Sequence, residues 1–220
     1  MRPVEADSSN TRPRWQRGLY AITAQTDSVS ALRNDVAAAL AGGAVLVQYR
    51  DKSHNRKLRL QQASALAEIC HAAQVPLLIN DDIDLCLAVQ AAGVHLGKDD
   101  AELAQARHRL GDQAIIGASC YADMQRAATA AAAGADYLAF GSFFPSLSKP
   151  AAPPCPPSLL KQARSWQLPV VAIGGINTEN GSALIHHGAD LLAVISDLFG
   201  AADIAAQAAR YRKLFQHHEQ

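Results

Sequence analysis

The chain is poor in several features that would each mark a function. It has no excess of either charge: 20 Lys+Arg stand against 20 Asp+Glu, so the formal net charge is zero. Polyanions and acidic membrane surfaces are recognised through a basic excess. Global charge therefore supports neither nucleic acid nor a membrane as partner, and any anion must be bound by a local cluster. The four cysteines, Cys70, Cys86, Cys120 and Cys155, are widely spaced and include no CxxC pair. That argues against a disulfide framework or a zinc site and for reduced thiols in a cytoplasmic protein. Residues Met1 to Gln16 are polar, carry Arg2, Arg12 and Arg14, and lack an apolar core, so they do not read as a secretory signal. They are expected to be a disordered lead-in, residues 1–16, with a second short tail at 217–220. No apolar run is long enough, or free enough of charge, to span a bilayer. No Ser-His-Asp arrangement is apparent either, and no obvious general base.

What is present is a regular alternation. The hydrophobic fraction is 49%, much of it Ala, enough for a large core with closely packed helices. Short segments rich in Val, Ile and Leu recur at Gly18–Thr23, Ala44–Arg50, Val75–Asn80, Gly93–Gly97, Ala114–Cys120, Asp136–Gly141, Pro169–Gly174 and Leu191–Ser196. Near-continuous apolar runs of this length are expected of parallel strands buried on both faces. Between them lie Ala-rich stretches with helical spacing, such as Ala31–Leu40, Lys57–His71 and Asp123–Ala133. Several end in Gly, the residue that caps a helix and turns the chain back. Ala-Gly-Ala-Asp and His-Gly-Ala-Asp recur at these points, a weak repeat of one βα unit. Eight such units predict an α/β chain closed as a single (β/α)₈ TIM barrel over residues 17–216.

In such a barrel the residues just after the strands line the active site. Three runs there carry charge: Gln48-Tyr49-Arg50-Asp51-Lys52, Asn80-Asp81-Asp82 and Gly97-Lys98-Asp99-Asp100. Gln48, Arg50 and Lys52 alternate, so they point to one side of a continuing strand. Arg offers a planar fork to phosphate and Lys a point charge. The plainer reading is a solvated strand end with a surface pair to Asp51. Asp81 and the Asp99-Asp100 pair follow adjacent strands, which lie about 4.8 Å apart. Their carboxylates can converge on Mg²⁺, which takes one or two carboxylates beside phosphate oxygens and water. The plainer role for Asp81 is to cap the next helix. Gly174-Gly175 after strand seven and Ile195-Ser196-Asp197 after strand eight occupy the loops that often form a phosphate site. Ser119 ends strand five and is either a ligand donor or a space filler. His95 lies in an apolar strand and reads as a core histidine. Lys149 stands alone in a long Ser- and Pro-rich loop after strand six, where functional lids are found.

With these residues placed, the chain resembles the thiamine-phosphate synthase family from Gly18 to Phe215. The motifs are Val47-Gln48-Tyr49-Arg50-Asp51-Lys52, Leu78-Ile79-Asn80-Asp81, Gly93 through Asp100, Phe144-Pro145-Ser146-Leu147-Ser148-Lys149 and Ile173-Gly174-Gly175-Ile176. The resemblance implies an alkyl/aryl transferase of thiamine biosynthesis. It would join hydroxymethylpyrimidine diphosphate to thiazole phosphate and release pyrophosphate. It implies that Gln48, Arg50, Lys52, Asn80, Ser119 and Lys149 meet the pyrimidine diphosphate, that Tyr49 and Asp51 belong to the substrate-binding set, and that Arg50, Lys52, Ser119 and Lys149 are the catalytic set. Asp81 and Asp100 would hold Mg²⁺; the choice of Asp100 over Asp99 comes from alignment with the family. Ser146, Leu147, Ser148, Gly175, Ile195 and Ser196 would take the thiazole phosphate. The implied chemistry is dissociative: pyrophosphate leaves, the aminopyrimidine stabilises a methylene cation, and the thiazole nitrogen attacks. That nitrogen has no proton to lose, which fits the lack of an obvious base. Ser146 and Ser148 stand where the family often has Thr, and Lys98 where it has Gln. The expected partners are two small molecules, with a homo-oligomer left open. The rival readings are a thiazole tautomerase, which needs a proton-transfer residue and no diphosphate set, and a non-catalytic sensor of phosphate ligands.

Overall fold

The computed structural model describes residues 16–97, 100–145 and 154–216, with the side chains of 100–102 outside that description. Eight strands form one closed barrel in chain order. They are β1 (Gly18–Ile22), β2 (Ala44–Tyr49), β3 (Leu77–Asn80), β4 (Gly93–Leu96), β5 (Ile115–Tyr121), β6 (Tyr137–Phe140), β7 (Val170–Ile173) and β8 (Leu191–Val194). Every neighbouring pair is parallel, including β8 with β1. Helices α1 (Val29–Gly42), α2 (Arg56–Ala72), α3 (Ile83–Ala88), α4 (Asp100–Leu110), α5 (Met124–Ala132), α6 (Ser158–Ala163) and α7 (Gly181–His186) fill the crossovers, and α8 (Ser196–Phe199) and α9 (Ile204–Gln216) follow β8. Seven of the strands are shorter than their apolar runs, and β5 is as long as its run but shifted by one residue. Arg50, Gly97, Gly141, Gly174 and Ile195 fall just past the strand ends, on the loops that face the cavity, and Ser196 opens α8.

Strand alternation divides the core in two. One set of side chains packs outward under the helices, among them Leu19, Ala21, Val47, Tyr49 and Ile79. The other fills the barrel: Tyr20, Ile22, Leu46, Leu78, Ile115, Tyr137, Ala139, Val171, Leu191 and Ala193. Burial on both sides is why these strands read as continuous apolar runs. The helices start on side-chain caps: Ser28, Asn55, Asp82 and Asp123 accept from backbone N–H groups of the first turns of α1, α2, α3 and α5.

The repeated Gly-Ala-Asp phrase has a common structural job. Asp136 donates its backbone N–H to Ile116 O, while its carboxylate accepts from Ile116 N at 2.8 Å and from Arg107 at 2.6 Å. Asp190 does the same one pair of strands further round, bonding both backbone groups of Val170, with Arg17 and Arg164 beside it. Each aspartate ties the start of its own strand to the preceding one, at the N-terminal end of the barrel.

All four cysteines are free thiols and buried. Burial pushes Cys70 up to about 12, and Cys86 and Cys155 up to about 11. They stay protonated at neutral pH. Among the described residues, no helix is long and apolar enough to cross a membrane.

Candidate active site

A cavity of about 750 Å³ opens at the C-terminal end of the barrel. Its wall and mouth are built from the ends of β1 to β8 and the loops that follow. From the expected site, Gln48, Arg50, Lys52, Asn80, Asp81, Ser119, Gly175, Ile195 and Ser196 all line it. Period-two alternation carries Gln48, Arg50 and Lys52 inward together. Among the described residues, neither Arg50 nor Lys52 has a carboxylate within ion-pair distance. The plainer reading, a surface pair to Asp51, does not hold. Two cations facing a cavity, with no carboxylate at ion-pair distance among the described residues, form a ready anion site.

Two expected residues do not reach this cavity. Tyr49 lies between the inward-facing Gln48 and Arg50, so alternation turns it outward. Its hydroxyl donates to Gln62 Oε1 at 2.7 Å beneath α2, and burial, followed by the Asp51 charge, drives its phenol far above the ordinary value. Asp51 is folded into its own turn, accepting from Ser53 N and Ser53 Oγ. It faces a neighbouring cleft that shares Lys52, Asn80 and Asp81. Both act on the site by shaping the loop rather than by touching the cavity. Ser146, Leu147, Ser148 and Lys149 lie outside the described residues, as do Lys98, Asp99 and the side chain of Asp100.

Asp81 is not the helix cap. Asp82 takes that role, accepting from Leu85 N at 2.9 Å and from Arg59 at 2.8 Å. Asp81 is thereby left exposed, its carboxylate accepting only the Asn80 amide, at 2.6 Å, among the described partners. Its backbone φ is 59°, in the left-handed region that costs an L-residue energy. Three other non-glycine residues with positive φ, Gln74, Gln90 and Gln167, sit at helix C-termini. Asp81 and Tyr121 are at strand ends instead, and both line the cavity. Strain of this kind collects at functional sites.

Could a divalent cation sit at Asp81? The oxygen donor is hard and exposed, and it pairs with no cation among the described residues. Gly97 keeps the adjacent space open: a Cβ there would lie 3.6 Å from Asp81 Oδ1. Among the described residues no group of three His, Cys, Asp or Glu side chains converges. That donor set fits Mg²⁺, which is typically held by one or two carboxylates and completes its shell with phosphate and water.

Opposite the charged wall, the backbone is brought close. Gly174 and Gly175 have φ of 107° and 62°. A Cβ on Gly174 would overlap Ser142 Oγ, and one on Gly175 would overlap the Pro145 carbonyl. Only glycine satisfies both the angles and the approach. Asn180 Nδ2 donates to Gly175 O at 3.0 Å and holds the turn. Beside it Asp197, the residue after Ser196, accepts from Tyr211 and Gln207 and anchors this wall to α9.

Of the cavity floor, only Gln48 and Ser119 were legible in the sequence as site residues. Tyr20, Gln48 and His95 are 1%, 2% and 8% exposed, yet all three line it. Gln48 Nε2 donates to Tyr20 Oη, which lies 2.8 Å from Tyr137 Oη. Tyr137 Oη is 2.7 Å from His95 Nδ1, and His95 Nε2 is 2.9 Å from Ser119 Oγ. So Ser119 has a histidine partner, but the other ring nitrogen meets a phenol and not a carboxylate, and among the described residues no Ser-His-Asp arrangement forms here. Burial raises both Tyr20 and Tyr137 far above the ordinary phenol pKa. The signal for this chain was a polar residue at inward positions of apolar strands: Tyr20 in β1, Gln48 in β2, His95 in β4, Tyr137 in β6.

Comparison with known proteins agrees with this geometry. The family profile described as "Thiamine monophosphate synthase" matches residues 19–198. A thiamine-phosphate synthase of Nitrosospira multiformis is 51% identical over 200 residues, covering 90% of this chain and 86% of the relative. One of Marinobacter nauticus is 50% identical over 210 residues, covering 94% and 95%. Among solved structures, a thiamine phosphate pyrophosphorylase from Pyrococcus furiosus superposes with a TM-score of 0.81 at 33% identity, over 91% of this chain and 96% of that one.

Proposed function

The chain belongs to the thiamine monophosphate synthase family, and from that premise we propose how its cavity divides the work. The enzyme condenses 4-amino-2-methyl-5-hydroxymethylpyrimidine diphosphate with 4-methyl-5-(2-phosphoethyl)thiazole, giving thiamine phosphate and pyrophosphate. We assign the deep, neutral floor to the aminopyrimidine, held by Gln48, Asn80 and Ser119. Arg50 and Lys52, with Lys149 from the loop after β6, take the diphosphate. Asp81 and Asp100 hold Mg²⁺. The glycine turn at Gly175 and the β8 end at Ile195 and Ser196, with Ser146, Leu147 and Ser148, take the thiazole phosphate.

The observation that carries this division is that, among the described residues, Arg50 and Lys52 have no carboxylate at ion-pair distance and line the same cavity as Asp81, whose carboxylate meets only an amide there. When bound, Mg²⁺ supplies charge neutralisation on the leaving diphosphate. Arg50 and Lys52 do the same from the protein side, as fixed charges aimed where negative charge grows. The C–O bond to the diphosphate breaks first, and its electron pair leaves with pyrophosphate. The aminopyrimidine ring bears the resulting positive charge while the thiazole nitrogen forms the new C–N bond. No proton moves in that step, so the buried histidine is not required as a base. Four free, buried thiols suit the reducing cytoplasm, where we place the enzyme.

The test is pyrophosphate release from purified protein given both substrates. Release is expected only with both substrates and Mg²⁺, with loss on adding EDTA and thiamine phosphate as co-product. Isomerisation of a non-aromatic thiazole phosphate without release would move the assignment to the tautomerase. Phosphate-ligand binding with neither activity would make it a sensor.

A further inference from the structure

We propose that the buried chain Gln48–Tyr20–Tyr137–His95–Ser119 is a directional hydrogen-bond relay that makes Ser119 a donor into the cavity, so that Tyr20, Tyr137 and His95 are positioning residues for the ligand's ring. The direction follows from counting protons. An amide nitrogen can only donate, so Gln48 Nε2 gives its proton to Tyr20 Oη. Tyr20 then passes its own single hydroxyl proton to Tyr137, 2.8 Å away. Tyr137, having accepted, turns its proton to His95 Nδ1 at 2.7 Å. A neutral imidazole whose Nδ1 accepts carries its proton on Nε2. That N–H donates to Ser119 Oγ at 2.9 Å. Along these four bonds the Ser119 hydroxyl proton is the one left over, and Ser119 faces the cavity. Burial keeps both phenols protonated, so each has one proton to pass on.

The packing fixes this order. Tyr20 and Tyr137 meet edge to face, with centroids 6.0 Å apart and planes at 89°. Tyr137 stacks on His95 at 5.6 Å and 18°. Gly117 makes room for it: a methyl there would overlap the Tyr137 ring. Reversing the Gln48 amide would reverse the whole chain. Tyr20 would then donate to Gln48 Oε1, His95 would carry its proton on Nδ1, and Ser119 would spend its proton on His95. The polarity of one buried amide thus decides whether Ser119 seeks a lone pair or a proton. As a donor, it selects a ligand ring with an unprotonated nitrogen at that edge, and rejects a ring bearing N–H there. Resting on the aminopyrimidine reading of the floor, the relay selects an aminopyrimidine over a pyrimidinone of the same shape.

The primary test needs no substrate. In ¹⁵N-labelled, ligand-free protein at about pH 8, above the ordinary histidine pKa of about 6.5, long-range ¹H–¹⁵N correlation reads the tautomer of each imidazole. The His95 signal is identified by its loss in His95→Asn. The relay requires the Nε2–H tautomer. The Nδ1–H tautomer, or an imidazolium, would overturn it. Gln48→Glu replaces the donor by an acceptor and is expected to convert His95 to Nδ1–H; an unchanged tautomer would remove Gln48 as the source of direction. In turnover, Tyr137→Phe is expected to raise KM for the pyrimidine diphosphate about tenfold and leave KM for the thiazole phosphate unchanged. Equal rises in both would mark general loosening of the barrel and sink the positioning role. Tyr20→Phe serves as a second break in the chain should Tyr137→Phe unfold. The outcomes separate cleanly. Wild-type turnover with the wrong tautomer ends the relay but not the proposed reaction. The Nε2–H tautomer without pyrophosphate release ends the reaction but not the relay.

Discussion

At the N-terminal end of the barrel, Asp136 and Asp190 each precede a strand, and each carboxylate accepts a backbone N–H from the neighbouring strand with an arginine beside it. At the C-terminal end, Asp81 follows a strand, is exposed, and meets only an amide among the described partners. Its neighbour Asp82 takes both the cap and the arginine. The same side chain is thus fully committed at one end and held open at the other. Barrel enzymes place stability at the first end and chemistry at the second. The contrast supplies a criterion finer than position alone: a functional carboxylate is one that the local fold has declined to use. Asp81 even sits in a backbone conformation that costs energy, at φ 59°, which a purely structural acid would have no reason to do.

The sharpest way to break the contrast is Asp81→Asn. Asn tolerates the left-handed conformation as well as Asp does, so the change removes charge without adding strain. Turnover is expected to fall about 10²- to 10³-fold, the size typical of losing one electrostatic contact to a transition state. Stability should move by less than about 0.5 kcal/mol, as for other surface changes. Thiazole phosphate binding, followed by calorimetry, should survive. Unchanged turnover would remove Asp81 from the metal site. Asp136→Ala inverts the pattern. It strips a partner from the N–H of the fully buried Ile116 and from Arg107. The expected cost is about 2–3 kcal/mol of stability, with turnover within about twofold. Urea denaturation with an unchanged m value is the measurement. A large loss of turnover in the still-folded protein would collapse the distinction between the two ends.

Much of this was legible in the chain itself. Eight apolar runs with Gly-terminated helical stretches between them lead directly to the closed barrel, because parallel strands buried on both faces leave that pattern. Arg50, Lys52, Asn80, Asp81, Ser119 and Gly175 could be placed from their offsets behind the strands. The strands other than β3 and β5 were read too long at their C-terminal ends, because their runs continue into the loops at the cavity mouth. Tyr49 and Asp51 were carried into the site by a motif that treats adjacent residues alike, whereas alternation turns Tyr49 outward and the Ser53 turn captures Asp51. The floor, beyond Gln48 and Ser119, went unread for a different reason. Tyr20, Gln48, His95 and Tyr137 are separated by as many as 117 positions in sequence and become one chain only when the barrel closes. A polar residue at one inward position means little; four at the same depth mean a network. The recurring Gly-Ala-Asp phrase was visible as a repeat, but its cross-strand role needed the register.

The last prediction grades the two acids within the N-terminal end. Asp136 meets Arg107 at 2.6 Å, and both are largely shielded, at 16% and 21% exposure. Arg107 is itself fixed by the carbonyls of Gly111, Ala114 and Gly134. Asp190 has two arginines but at 3.5 and 3.7 Å, and Arg164 is 57% exposed. Loose, solvated pairs contribute about 0–1 kcal/mol. What Asp190 chiefly supplies is therefore the bond to Val170 N at 3.0 Å. Asp190→Ala should cost about 1–2 kcal/mol, less than Asp136→Ala, and still leave turnover unchanged. A double-mutant cycle separates the two contributions. Asp136 with Arg107 should couple by about 1 kcal/mol or more, and that coupling should persist in high salt because the pair is shielded. Asp190 with Arg164 should couple by no more than about 0.3 kcal/mol and lose even that as salt screens it. Equal couplings at both sites would mean that proximity of charge, rather than the fixed bond to the neighbouring strand, is what the repeated aspartate contributes.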